Sequence, residues 1–399
     1  MADGAIKEAN MGIEVRLPNR DGGLTTHRLG TPTRHARPTE PLRSRRAFAA
    51  AHVVADPLAD NAPAFPASVD WDTTLAFRRH LWSYGLSVAE AMDTAQRGMG
   101  LDWSATSELI RRSLKEAQAV GGDIACGAGT DQLPEGEPAT LDDIVRAYEE
   151  QVGLVEGEGG QAVVMASRAL AAAATSVDDY HHVYDRLLSQ VTRPVVIHWL
   201  GDMFDPALAG YWGSHDLDVA TDNFLGILEA CADKVDGVKI SLLDKEREIE
   251  VRRRLPEGLR LYTGDDYDYP ETILGDGEHH SHAFLGAFDL IAPAASAAIQ
   301  ALDAGDQGRF KEILEPTVPL SRHVFSPPTF YYKTGVVFLA YLNGHQDHFR
   351  MVGGLETGRS VVHLAEEFVL ADQAGLLEDP ERAADRMARV LAVAGIDQA

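Results

Sequence analysis

Between residues 47 and 291 the chain repeats one pattern eight times: a short apolar run, then an amphipathic segment. The runs are 47–54, 86–92, 123–126, 162–166, 194–199, 235–240, 259–263 and 285–291. Well-marked helix starts lie between them. Thr140-Leu141-Asp142-Asp143 is a capping box ahead of an i, i+3, i+4, i+7 face built on Leu141, Ile144, Val145 and Tyr148. Ser176-Val177-Asp178-Asp179 repeats the device ahead of Tyr180, Val183, Tyr184 and Leu187. Strands alternating with capped helices are βα units. Eight of them over about 250 residues predict a closed (β/α)₈ TIM barrel. A doubly wound sheet would open with G-x-G-x-x-G. The chain has only Gly127-Ala128-Gly129, and that follows the third run.

The flanks read differently. Residues 13–29 alternate apolar and polar around Asn19-Arg20-Asp21-Gly22-Gly23, which predicts a β-hairpin. A Pro- and Arg-rich connection follows, so 1–46 is expected to be hairpin and linker, 47–305 the barrel and 306–399 a helical extension. The expected helices beyond Pro293 are 294–302, 306–314, 331–342, 360–371 and 384–393.

The chain has 399 residues, with 36 Lys+Arg against 61 Asp+Glu and a net charge of −25. That balance argues against nucleic acid or an anionic membrane as partner. Two cysteines, Cys126 and Cys231, exclude a disulfide scaffold. No apolar run reaches the roughly 18 residues of a membrane span. Residues 1–12 lack the apolar stretch of a secretory leader. The expectation is a cytoplasmic enzyme, a dimer or tetramer, acting on a small molecule.

In such barrels the chemistry sits where strands end. Lys239 is the most informative candidate. It lies between Val238 and Ile240, which share one face, so it points to the other, into the barrel. A desolvated lysine loses its proton more readily and can attack a carbonyl to form a Schiff base. It can equally line the barrel with its stem and pair with Asp265. His198, ending the fifth run, is a candidate proton carrier or a structural histidine. Asp93, beyond the second run, is a candidate base or hydroxyl clamp. Thr94, Arg97, Gly129, Asp265, Asp266 and His282 are candidate substrate contacts, Arg97 as a fork for a carboxylate or phosphate. Glu278-His279-His280-Ser281-His282 admits a metal, with Asp93, His198, His280 and His282 as the set. Cys126 reads as a small buried hydrophobe. The 345–348 segment is read either as closing over the mouth or as a subunit contact.

Asp236-Gly237-Val238-Lys239-Ile240-Ser241 resembles the sixth-strand Gly-Ile-Lys signature of the dihydrodipicolinate synthase/N-acetylneuraminate lyase superfamily. Other features follow in the same order. Thr94-Ala95-Gln96-Arg97-Gly98 resembles that family's Thr-Thr-Gly-Glu loop, and Ala125-Cys126-Gly127-Ala128-Gly129 its Ala-Gly-x-Gly turn. Thr263-Gly264-Asp265-Asp266 is similar to its Gly-Asp-Asp, with Pro293 in the turn after the last strand. The resemblance spans about residues 45–305 and is to a poorly characterised branch.

It implies a class I lyase, with Lys239 as the Schiff-base residue and no cofactor. The chain departs from the pattern where the second threonine is Ala95 and the fifth-strand tyrosine is His198. The expected substrate is therefore a sugar-derived keto acid or keto sugar. Two alternatives stand beside it: a metal-dependent isomerase, epimerase or class II aldolase, and a non-catalytic sugar-binding barrel.

Overall fold

The structure is a computed structural model that describes residues 12–134 and 136–398. The leader reading for residues 1–12 falls almost wholly outside them. An antiparallel hairpin, β1 (Glu14–Pro18) and β2 (Leu24–Arg28), comes first. Its turn is held by Asn19 Oδ1, which accepts from the Asp21 and Gly23 N–H groups at 3.1 and 2.9 Å. Val15 and Leu17 are buried against the carboxy-terminal helices.

Eight parallel strands then close into a barrel: β3 (Ala47–Ala50), β4 (Ser87–Glu90), β5 (Ile124–Ala128), β6 (Gln161–Val164), β7 (Val195–Leu200), β8 (Val235–Ser241), β9 (Arg260–Thr263) and β10 (His282–Leu285). Each neighbours the next, and β10 pairs with β3. The chain is a TIM barrel with an N-terminal hairpin and C-terminal helices. Both capping boxes are present, opening the helices Leu141–Gly157 and Val177–Leu188. No helix among the described residues is long and apolar enough to cross a membrane.

One strand is shifted from expectation. The eighth strand is His282–Leu285, and 287–290 form a helical turn instead of its continuation. The apolar run alone did not separate the two, because both the strand and the turn after it are buried. This moves His282 to the start of a strand, at the amino-terminal face of the barrel.

The interior is filled by inward side chains from successive strands, among them Phe48, Ala89, Ala125, Val163, Val196, Tyr262 and Phe284. Phe48 and Phe284 stack at 4.7 Å, and Tyr262 meets Phe48 edge-on. Arg46 and Asp236 bind the Tyr262 hydroxyl and plug the floor. Buried apolar residues of the barrel, the hairpin and the C-terminal helices belong to one continuous core.

The helices after the barrel are Ala292–Asp303, Gln307–Leu314, Val318–Val324, Tyr332–Asn343, Val361–Gln373 and Pro380–Val393. The Val318–Val324 helix was not anticipated; Pro319 at its start masks it in the sequence. Tyr332–Asn343 is buried along its whole length, and its first turn lies over the carboxy-terminal ends of the strands.

Candidate active site at the barrel mouth

On β8, Val238 and Ile240 pack outward among the helix-facing residues, so Lys239 points inward and is 6% exposed. Its Nζ stands 4.7 Å from the centre of the Phe284 ring. Among the described residues it makes neither a hydrogen bond nor an ion pair. Burial lowers its pKa, opposed by the Asp93 and Asp266 carboxylates.

His198 stands beside it, in register across β7 and β8. Ile197 and Trp199 belong to the outward core, which turns His198 inward. Its Nε2 shares a 3.0 Å hydrogen bond with the Ser241 hydroxyl, while Nδ1 is buried without a partner. Burial, and then the Lys239 charge, hold its pKa well below the usual value, so the ring is neutral.

Gly264 permits this crowding. A Cβ there would fall on Ser241 Oγ, 2.7 Å from the Ile240 carbonyl oxygen and 3.0 Å from Lys239 Cε. The next two residues divide their tasks. Asp265 Oδ1 accepts from the Tyr267 and Asp268 N–H groups at 2.8 and 3.3 Å and so holds its own turn. Asp266 Oδ1 accepts from the Ala287 N–H at 2.8 Å, and burial raises its pKa to about 7. Asp266, and not Asp265, acts on Lys239. Adjacent residues of a loop leave β9 in different directions, which composition does not reveal.

β4 ends at Glu90, and Asp93–Ala95 form a 3₁₀ turn beyond it. The Thr94 hydroxyl lies 2.9 Å from the Tyr332 hydroxyl, and the Asp93 charge reaches Lys239, Tyr332 and Lys333. Tyr332 and Lys333 were not foreseen as site residues. Tyr332 stacks on Phe325 at 4.4 Å. Lys333 is 3% exposed; its Nζ donates to the Phe330 carbonyl at 3.2 Å and lies 4.6 Å from the Tyr332 ring centre. Burial lowers its pKa to about 8. The signal was present, since a single lysine opens an otherwise apolar helix, Tyr332–Asn343. Nothing local said that this helix meets the barrel mouth.

Other candidates are placed elsewhere or tied down. Arg97 does not offer a free fork. Its Nε donates to Asp131 at 3.0 Å, its Nη1 to the Gly127 carbonyl at 2.7 Å, and its Nη2 to Asp131 and Gln151. Gly129 belongs to the same cluster, its N–H donating to Gln151 Oε1 at 2.6 Å. His282 Nδ1 accepts from the Arg46 N–H at 2.9 Å on the barrel floor, with His280 beside it. It is therefore not a contact at the mouth. Asp93 and His198 lie at the opposite end, so the four residues of the metal alternative do not form one site. No cluster of three or more His, Cys, Asp or Glu side chains suited to a metal occurs among the described residues. Cys126 is buried, and burial raises its thiol pKa.

The 345–348 segment does not cover the mouth. His345 packs on Phe77 and His80 and lines a cavity of about 190 Å³ with Arg34, Tyr84 and Glu378. Asp289, on that cavity's wall, holds the buried His52 ring at 2.8 Å.

Solved structures similar to this chain share its fold. One is a prophage protein of the dihydrodipicolinic acid synthase family from E. coli K12 in complex with pyruvate. It has a TM-score of 0.65 and 11% identity, over 83% of this chain and 99% of that one. Dihydrodipicolinate synthase from Aquifex aeolicus gives 0.57 and 15%, over 89% and 99%. That from Thermotoga maritima gives 0.59 and 13%, over 84% and 100%. No curated protein matches the sequence. Residues 15–396, nearly the whole chain, match one family, and this TIM-barrel protein belongs to it: "Protein of unknown function (DUF993)".

Proposed function

We propose that this barrel is a class I lyase, with Lys239 as the Schiff-base residue and a small sugar-derived keto acid or keto sugar as substrate. One observation carries the reading: a buried lysine amine at the barrel mouth that no hydrogen bond or ion pair holds among the described residues. A lysine is rarely buried without a polar partner, and a desolvated amine is a nucleophile, which supports this reading.

The Nζ lone pair attacks the substrate carbonyl carbon, and the oxygen takes a proton to give a carbinolamine. Loss of that hydroxyl as water leaves an iminium. Breaking a neighbouring C–C bond sends its electron pair into the iminium, giving an enamine, while the hydroxyl on the departing carbon gives its proton to a base and becomes a carbonyl. Where a C–H bond breaks instead, the proton goes to the base and the hydroxyl on the next carbon leaves, protonated, as water. Protonation of the enamine after C–C cleavage, then hydrolysis of the iminium, releases the product and free Lys239. Asp266, with its pKa near 7, is suited to carry the protons of carbinolamine formation and loss. Asp93 balances the iminium charge. The neutral His198 and the Ser241 hydroxyl would hold a substrate hydroxyl or relay its proton. The likeness in fold to dihydrodipicolinate synthase structures, and to a protein of that family in complex with pyruvate, supports the same chemistry.

The test is intact-mass spectrometry after borohydride reduction with a panel of keto acids and keto sugars, followed by peptide mapping. An adduct on Lys239, absent in Lys239→Ala, is the expected result. Turnover of a panel compound by Lys239→Ala would overturn the mechanism.

A further inference from the structure

The mouth holds a second buried lysine that the Schiff-base chemistry does not use. Among the described residues, the cationic side chains near this end of the barrel include Lys239, Lys333, Arg97, Arg168 and Arg78, the last paired with Glu90. Arg97 is committed to Asp131, and Arg168 donates to Asp205 Oδ2 at 2.6 Å. Lys239 is consumed as the nucleophile. Lys333 has three N–H donors, and among the described residues they meet one acceptor, the Phe330 carbonyl. Its other neighbours are the faces of Tyr332 and Phe330, 4.6 and 5.1 Å from Nζ to the ring centres. No carboxylate forms an ion pair with it. The charges that reach it, Asp93, Asp205 and Arg168, follow β4, β7 and β6, which places the ammonium over the strand ends, and the first of them, Asp93, also acts on Lys239.

A buried ammonium with unmet donors costs stability unless something pairs with it. Asp93 reaches both lysines, but its partner changes during the reaction. Once Lys239 is an iminium it carries a fixed positive charge, and Asp93 becomes its counterion. Lys333 is then left with a carbonyl and two ring faces. We propose that Lys333 is the specificity-determining contact of this site, pairing its ammonium with an anionic group, carboxylate or phosphate, carried by the carbonyl substrate. This rests on the Schiff-base reading and narrows its substrate class to anionic keto compounds. It also gives the C-terminal extension a direct part in substrate choice.

The test uses two matched pairs, 4-oxopentanoate with its methyl ester and dihydroxyacetone phosphate with dihydroxyacetone. Binding is measured by calorimetry on the full chain, and adducts on Lys239 by borohydride trapping. Wild type should bind an anionic member at least about tenfold more tightly than its neutral partner. Whichever pair shows the preference identifies carboxylate or phosphate. Lys333→Met should bring that ratio to about one, and Lys333→Arg should keep most of it. In wild type alone, where no variant need fold, anion affinity should fall as pH rises past about 8, where Lys333 loses its charge. An unchanged preference in Lys333→Met, no preference in wild type, or anion affinity flat from pH 7 to 9 overturns the proposal. Binding that depends on Lys333 without any adduct on Lys239 would instead overturn the Schiff-base reading alone.

Discussion

Lys239 Nζ and the Phe284 ring face each other at 4.7 Å inside the barrel, and that apolar floor keeps the amine short of the water that would stabilise its charge. Burial lowers the pKa of the lysine, while the ring face itself attracts the ammonium. The two carboxylates that work against burial are Asp93 and Asp266.

Asp266→Asn removes one of those two negative charges while keeping the oxygen that accepts from Ala287. A lysine that loses a neighbouring carboxylate gives up its proton more easily. The onset of adduct formation with pH should therefore move to lower pH. A pH series of borohydride trapping reads this. A shift to higher pH would show that Asp266 does not act on Lys239 as a charge.

Gly264→Ala should damage both fold and chemistry, because the added methyl falls on Ser241 and crowds Lys239 Cε. Overpacking of this kind costs on the order of 1–3 kcal/mol. Thermal denaturation should show a lowered Tm, and trapping at Lys239 should drop sharply. A variant with wild-type Tm and wild-type trapping would contradict the packing described for β8 and β9.

Arg97→Gln should unfold more readily than it loses substrate. The guanidinium is spent inside the protein, and its removal leaves the Asp131 carboxylate without its cation, with only the Gln151 amide still donating to it. Breaking a buried pair by deleting one partner typically costs about 3–5 kcal/mol. Denaturant titration should show the loss, while the affinity of the folded fraction for anionic probes stays within about threefold of wild type. A large selective loss of anion affinity at unchanged stability would make Arg97 a substrate contact.

Glu367 gives a pH-dependent stability. It is buried in the helix Val361–Gln373, neither carboxyl oxygen has a hydrogen-bond partner among the described residues, and burial raises its pKa to about 8. The unfolded chain ionises it near the ordinary glutamate value of 4.5. Its contribution is thus fully present below that pH, is lost as pH rises through the interval to about 8, and then levels off. Glu367→Gln removes the titration. Its Tm relative to wild type should rise between pH 5 and pH 8, by the equivalent of a few kcal/mol at order of magnitude. A difference independent of pH would mean that Glu367 is not buried as an acid.

The barrel and the inward direction of Lys239 were legible because both rest on local periodicity. Val238 and Ile240 settle where Lys239 points within three residues of sequence, and the boxes at Thr140 and Ser176 fix helix starts over four. The misreadings have one cause each. Arg97 looked available because its partners Asp131 and Gln151 come from a different βα unit. His282 looked like a mouth residue because an apolar strand and the helical turn after it have the same composition. Tyr332 and Lys333 are brought to the mouth by tertiary packing over 238 positions, the separation of Thr94 from Tyr332.

That separation also sets an order of events during synthesis. A nascent chain that has just left residue 305 contains every barrel strand and Lys239, but neither Tyr332 nor Lys333. Because chains emerge amino terminus first, the barrel can close before its mouth is furnished. The buried amine then waits for the last quarter of the polypeptide, so a truncated product would carry Lys239 without Tyr332 and Lys333.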